Sequence, residues 1–438
     1  MTKTASPGWS RWRFRAKNIY LGGRALFGGK GDAPSDRPLK EHVIALPEGF
    51  GARRAILRLS IPDMPEGRTY SFTEHGRNID GHSNDLITAC TIGGFAVSDD
   101  LGESWKAVNL MRFADLGFWH SRLLPGGEIL LVATDPDDPG TPPGSNTVLV
   151  IADLNGNIRH TAKMPSAAWH GPRAIDLSGN TLMFAEYTPN DGETAHKPSR
   201  VWRSRDFARS WEMVHEEPRV RHFHFLQAHP TCHGEWWLTA GDTASESRIW
   251  KSVDDGSTWT DQTSAFRDTV TIGEQIFSRR LFRLTDLVWQ GDEIIWGCDD
   301  VLRHQGRDPE GKRTNNIIGS RVFRGNPAAG GPLAVLGACG PEVRNIVAVG
   351  DFYLFVTQSS HHVQDGDPAV FLLPQKPPAP DTNIHPLFKI DRHGAARTGF
   401  TYSRASRSAN NGVFFTFRTP RDVFEAPNRI LKWRVDFD

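Results

Sequence analysis

The chain has 438 residues, and its 51 Lys+Arg are matched by 51 Asp+Glu, so the formal net charge is zero. A protein without a field of one sign has no general attraction to polyanions, which sets aside nucleic acid and anionic membrane as main partners. With 42 Gly, 29 Pro, 25 Phe and 14 Trp, frequent turns and many aromatics favour short strands over long helices. Residues 1–40 read as an N-terminal extension and 41–438 as a single all-β domain. The start, "MTKTASPGWSRWRFRAKNIYLGG", has no apolar stretch of signal-peptide length, and no window approaches a membrane span. A cytoplasmic protein is expected; had an export signal been removed, it would be secreted or periplasmic. Cys90, Cys232, Cys298 and Cys339 lack paired spacing, so reduced, mostly buried thiols are expected.

Along the chain, "EILLVAT" (128–134), "NTLMFAEY" (180–187), "EWWLTAGD" (235–242), "EIIWGCDD" (293–300) and "FYLFVTQ" (352–358) are short, apolar and bounded by Gly, Asn or Asp. They read as strands. Pro/Gly-rich patches at 135–145 and 374–386 read as long surface loops, since similar strands resume on both sides.

An acidic turn ending in tryptophan recurs as "SDDLGESW" (98–105), "SRDFARSW" (204–211) and "SVDDGSTW" (252–259). Its central acids are Asp100, Asp206 and Asp254, spaced by 106 and 48 residues. A repeat of about 50 residues with one copy skipped fits this spacing, and such a period points to propeller blades. "VLVIADLNGNIRH" (148–160) lies near the skipped position and keeps Asp153, Asn155 and Gly156. Downstream, "SRVFRGNP" (320–327), "AVFLLPQKP" (369–377) and "RILKWRVDF" (429–437) occupy the same place in the repeat, which gives seven blades. A serine and an aspartate before a glycine can hydrogen-bond the amides of a tight hairpin, while the glycine supplies positive φ.

This S-x-D-x-G-x-[ST]-W pattern resembles the Asp-box, or bacterial neuraminidase repeat, of the sialidase-like β-propeller superfamily. The resemblance implies a seven-bladed propeller whose boxes join the two outer strands of each blade, on the face away from the active site. It covers residues 98–259 directly. Hydrolases, lyases and binding proteins share the fold, so the motif leaves activity open.

The chemistry is therefore sought upstream of each inner strand. There lie His82 in "DGHSNDLITAC", His120 and Arg122 in "FWHSRLL", and His170 and Arg173 in "AWHGPRAID". "RVRHFHFLQAHP" supplies Arg221, His222 and His224. "GEQIFSRRLF" supplies Gln275, Arg279 and Arg280, "CGPEVRNI" Glu342 and Arg344, and "FTYSRASRS" Tyr402. A ring of Arg and His suits an anion, since arginine binds carboxylates bidentately and histidine exchanges protons near neutral pH.

The expected partner is an acidic, uronate-containing saccharide, and the expected reaction is β-elimination by a polysaccharide lyase. His170 or His120 would be base or acid, with Tyr402 as a further proton-transfer group. Arg173 and Arg280 would hold the carboxylate, while His82, Arg122, Gln275, Arg279, Glu342 and Arg344 would line the subsites. Two alternatives stand beside it: an exo-acting glycoside hydrolase of sialidase type, and a propeller that only binds glycan or protein. Sialidase hydrolysis comes second because the Arg-Ile-Pro element of sialidases is absent. His222 and His224, two apart on a strand, face the same side and could hold a divalent metal ion. "QSSHHVQD", with Gln358, His361 and His362, is similar to the Gln/His metal site of oligogalacturonate lyases. Cys232 and His233 in "HPTCHGEWW" read as turn residues.

Overall fold

The computed structural model describes residues 40–60, 69–74, 86–134, 147–166, 174–187, 198–263, 269–272, 275–307, 310, 313–326, 333–357, 369–376, 382–389, 400–401, 413–418 and 429–438. Asp36–Asp438 forms one compact unit; Met1–Ser35, a second, lies outside the described residues. Among the described residues the regular elements are strands and two short 3-10 turns, Met111–Phe113 and Arg279–Phe282.

The strands build seven sheets of four to six strands and one two-stranded ribbon among the described residues. Each of the first four sheets is a run of four antiparallel strands consecutive in sequence. The fourth, for example, takes Phe223–Ala228, Trp236–Ala240, Arg248–Ser252 and Thr260–Asp261 in order. First strands of neighbouring sheets lie side by side: Thr69–Glu74 by Gly117–Leu123, Ile175–Ser178 by Phe223–Ala228, and Leu287–Gln290 by Val343–Val349. This is a β-propeller, with the first strand of each of the first six sheets innermost.

The last sheet is closed by the N-terminal part of the domain. Arg54–Ser60 pairs antiparallel with Arg429–Phe437, which pairs with Val413–Arg418 and then Phe400–Thr401. Ala55 lies opposite Phe437 and Ser60 opposite Lys432. Strands from the N- and C-terminal parts of the domain thus share one sheet.

Buried side chains form six apolar clusters among the described residues, each between neighbouring sheets. Phe225, Trp237 and Ile249 of the fourth sheet meet Leu287, Ile294 and Trp296 of the fifth. Likewise Val347 and Leu354 of the sixth meet Ala55, Leu57 and Val435 of the closing sheet. Stability thus rests on inter-sheet layers in place of one central core.

Gly297, on the second strand of the fifth sheet, shows how closely these layers fit. A Cβ there would lie 2.2 Å from Val343 Cγ1 on the sixth sheet. Gly297→Ala is therefore expected to lower stability by about 1–3 kcal/mol. Thermal denaturation checks it: the second substitution Val343→Ala should restore part of the loss, and an unshifted midpoint for Gly297→Ala alone would contradict the close fit.

The acidic turns sit where the repeat places them, between the third and fourth strands of their sheets. In the third copy Ser252 Oγ donates to Asp254 Oδ1 at 2.9 Å and accepts from Gly256 N at 2.9 Å. Asp254 takes both the amide (2.8 Å) and the hydroxyl (2.7 Å) of Thr258, and Trp259 Nε1 donates back to Gly256 O at 3.0 Å. Residue 208, where glycine is usual, is an alanine held at φ +68°, beside +78° at Gly102 and +80° at Gly256. Asp153 in the degenerate copy accepts the amide and side-chain nitrogen of Asn157 at 2.9 and 2.7 Å, so its carboxylate keeps the geometry without the serine or tryptophan.

His215, beside Trp259 (5.7 Å) and Trp250 (6.3 Å), and His229, against Trp289 (4.2 Å), are both pushed below the ordinary histidine range, chiefly by burial. They are neutral in the folded protein, while the unfolded chain takes up their protons as pH falls through about 6.5. Their contribution is therefore complete above that pH and lost below it. The thermal midpoint should fall between pH 7.5 and 5, and His215→Gln should flatten the fall; an equally steep slope in the variant would count against His215.

Candidate functional site

Antiparallel alternation decides which end of each sheet carries chemistry. The box hairpins close one end. At the other, the start of each first strand lies beside the end of the second: Phe223 pairs with Ala240, and Leu287 with Trp296. Residues at or just before the start of the first strand and just after the second thus meet at the end opposite the boxes.

In the fourth sheet these are Arg221, His222 and His224 on one side and Asp242 with Glu246 on the other. His222 Nε2 and His224 Nε2 are 3.2 Å apart. Asp242 Oδ2 lies 3.0 Å from the first, and Asp242 Oδ1 lies 3.4 Å from the second. Arg221 reaches Asp242 at 3.2 Å and Glu246 at 3.0 Å. Tyr187 of the third sheet stacks on His222 at 3.9 Å. Among the described residues this is the group of three metal-ligating side chains whose ligand atoms converge, all within 4.8 Å of one another.

The fifth and sixth sheets extend the cluster. Asp299 and Asp300 follow the strand Glu293–Gly297 as Asp242 follows Trp236–Ala240. Arg280 holds Asp300 at 2.7 Å, and Arg344 holds Asp299 at 2.6 Å. Arg283 lies between them, 3.5 Å from Asp300, 3.7 Å from Asp299 and 3.5 Å from Asp242. Four arginines (221, 280, 283, 344) thus face four acids (242, 246, 299, 300). The inserted ribbon Thr269–Ile272 with Gln275–Ser278 runs beside the hairpin strand Leu302–Arg307 of the fifth sheet.

Electrostatics follow from burial and these contacts. Burial pushes the Asp242 carboxyl up, but hydrogen bonds from His222 and His224 outweigh it and hold the group far below the usual carboxylate range. Burial also lowers His224, so its imidazole is neutral near pH 7. Nearby, the Cys298 thiol is raised well above its ordinary range by burial and then by Asp300 and Asp299, and so stays a thiol.

The sequence-predicted residues divide accordingly. His222, His224, Arg280 and Arg344 come together at this end, and Glu342, 9% exposed, precedes the first strand of the sixth sheet. His120 lies within the first strand of the second sheet, Gly117–Leu123, and is buried. Arg122 is bound to Asp176 of the third sheet, a strut between sheets. Gln275 and Arg279 belong to the inserted ribbon and its 3-10 turn, upstream of the fifth sheet's first strand Leu287–Gln290. His82, His170, Arg173 and Tyr402, with Gln358, His361 and His362, lie outside the described residues. Cys232 is exposed in the turn between the first two strands of the fourth sheet, as expected, and all four cysteines are free.

Asp242, Glu246, Asp299 and Asp300 were not singled out by sequence reasoning. A signal existed: Glu186, Asp242 and Asp299 each follow the second strand of their sheets by one or two residues.

No family model and no curated protein sequence matches the chain. Among solved structures, the chain is similar to the GH74 xyloglucanase from Xanthomonas campestris at 14% identity and a TM-score of 0.49, covering 86% of this chain and 55% of that one. It is also similar to YCF48 bound to D1 peptide (11% identity, TM-score 0.45, 91% of this chain and 100% of that one). A chain of the mitotic checkpoint complex shares 11% identity at a TM-score of 0.46, covering 95% of this chain and 100% of that one. The chain thus spans about half the length of the xyloglucanase, and these likenesses concern the fold alone.

Proposed function

We propose that the protein, each of its seven sheets taken as one blade, binds and cleaves a carbohydrate at the end of the inner strands opposite the Asp-boxes, by hydrolysis. The observation carrying this reading is the carboxylate cluster contributed by successive sheets: Asp242 and Glu246, then Asp299 and Asp300. Hydrolysis of a glycosidic bond uses two carboxyl groups, one to protonate the leaving oxygen and one to activate water or attack the sugar. Planar Arg–carboxylate pairs also suit adjacent sugar hydroxyls, which donate to one partner and accept from the other. Asp300 is the assigned reacting carboxylate: it is held by Arg280, whose side chain is 36% exposed, whereas the Asp299 side chain is 1% exposed.

The matched charges favour a polyhydroxyl ligand over a polyanion. One observation supports the elimination route as a second reading: exposed Arg280 can turn from Asp300 to a uronate carboxylate while neutral His224 accepts a proton.

A panel of neutral polysaccharides, uronate polysaccharides and sialosides separates the readings. Hydrolysis gives new reducing ends with no rise in ultraviolet absorbance, and this is the expected result. Unsaturated uronate absorbing in the ultraviolet would replace hydrolysis by elimination. Saturable binding without products would make the protein a glycan-binding propeller, and neither binding nor products would overturn the carbohydrate reading.

A further inference from the structure

Two histidines and an aspartate aim their ligating atoms at one point at the end of the fourth sheet. The i, i+2 spacing of His222 and His224 puts both rings on one side of the chain. Asp242 arrives just beyond the neighbouring strand, whose Ala240 pairs with Phe223. The resulting triangle has edges of 3.2, 3.0 and 3.4 Å. Donors about 2.0–2.2 Å from one ion stand about 3.0–3.4 Å apart at angles between octahedral and tetrahedral.

Protons alone serve this triangle poorly. Asp242 only accepts, so an Nε2 without hydrogen would set its lone pair against a carboxylate oxygen, and both Nε2 atoms must carry hydrogen to avoid this. The two rings then face each other, N–H to N–H, across 3.2 Å. A cation bound by two nitrogen lone pairs and a carboxylate removes that conflict. The Nδ1 atoms of both rings find no partner among the described residues.

The surroundings hold the donors in place. The His222 and His224 side chains are 6% and 5% exposed, and the Tyr187 ring covers His222. Arg221 and Arg283 fix the Asp242 carboxylate from outside at 3.2 and 3.5 Å. Their charges oppose a nearby cation, but Glu246 on Arg221 and the Asp299–Asp300 pair around Arg283 offset them.

We propose that His222, His224 and Asp242 bind one divalent first-row transition-metal ion, with zinc the first choice. Two imidazoles and one carboxylate suit this class, whereas calcium and magnesium require mostly oxygen donors. The proposal stands on the triangle alone and holds whether or not a saccharide is cleaved.

The test uses the tag-free full chain, stripped with chelator and titrated with Zn2+ by calorimetry and with Co2+ by visible absorption. One equivalent of Zn2+ and the intense ligand-field bands of low-coordinate Co2+ are expected, with no competition from Ca2+. His224→Ala and Asp242→Ala should each weaken Zn2+ binding beyond the about 10–100-fold that loss of an outer partner costs. His222→Gln, a milder change, covers the case in which these variants misfold, as judged by circular dichroism without metal. Cys232→Ser with His233→Ala, in the exposed turn, should leave the titration unchanged. Two results would overturn the proposal: a wild-type chain that takes up no stoichiometric Zn2+, or undiminished binding in the folded triple variant lacking His222, His224 and Asp242.

Discussion

Replacing Asp176 by alanine is expected to lower stability by about 3–5 kcal/mol, the cost of removing one partner from a buried ion pair. Asp176 is fully buried on the first strand of the third sheet. Its Oδ1 receives Arg122 of the second sheet and its own Leu177 amide at 2.9 Å. Oδ2 accepts the amide of Ala228, on the fourth sheet, at 2.9 Å. One carboxylate therefore ties three consecutive sheets near the axis. Truncation removes the carboxylate from a guanidinium that is only 13% exposed and strips a buried amide of its acceptor.

The fifth sheet repeats the device without an arginine. Asp286 accepts its own Leu287 amide at 3.1 Å and reaches Asn345 Nδ2 and the Ile346 amide of the sixth sheet at 3.2 and 3.3 Å. Asp286→Ala should accordingly cost less than Asp176→Ala. Denaturant titration of both variants, with Arg122→Met/Asp176→Leu as the apolar replacement, checks the order. A loss under about 1 kcal/mol at Asp176 would mean that the pair does not join the sheets.

These ties explain what the sequence could and could not reveal. The acidic turn is legible because the side-chain hydrogen bonds of Ser252, Asp254 and Trp259 close within eight residues, so "SVDDGSTW" states its own geometry and its spacing states the period. Asp176–Leu177 and Asp286–Leu287 are equally short, but their partners lie on other sheets, 52 to 60 residues away. The first inner strand was misplaced for a related reason. "ITAC" is more apolar than "TYSFTE", yet Thr69–Glu74 is the first strand and Ile87–Thr91 the second. Second strands are covered on both faces by neighbouring sheets and are the more apolar ones, while first strands border the axis and stay mixed. The same mixed character let the inserted ribbon around Gln275 pass for part of a blade.

At the candidate site the sequence displayed the cations but not their pairing. Histidines and arginines preceding inner strands recur and invite an anion. The acids that neutralise them follow second strands some 20 residues later, where "LTAGD" and "WGCDD" read as ends of apolar runs. Pairing across that distance changes the electrostatics: the cations that read alone as a funnel for an anion are each met by a carboxylate.

That change yields the second large effect, a contrast between adjacent residues. Asp300→Asn is expected to lower kcat by about 10²–10⁴-fold on the substrate found in the panel, with KM and the thermal midpoint little altered. Asp299→Asn is expected to do the reverse. The Asp299 side chain is 1% exposed and accepts from Arg344 of the sixth sheet at 2.6 Å, with Arg283 at 3.7 Å, so neutralising it weakens an inter-sheet contact and lowers the midpoint first. Asp300, 9% exposed, is paired with the more exposed Arg280 and is the carboxylate proposed to meet the sugar. Steady-state kinetics and thermal denaturation of the two variants side by side read both effects. If Asp300→Asn turned over normally while Asp299→Asn lost kcat without losing stability, the acid–base role would pass to the buried carboxylate, and substrate would have to displace Arg344 from Asp299 to reach it.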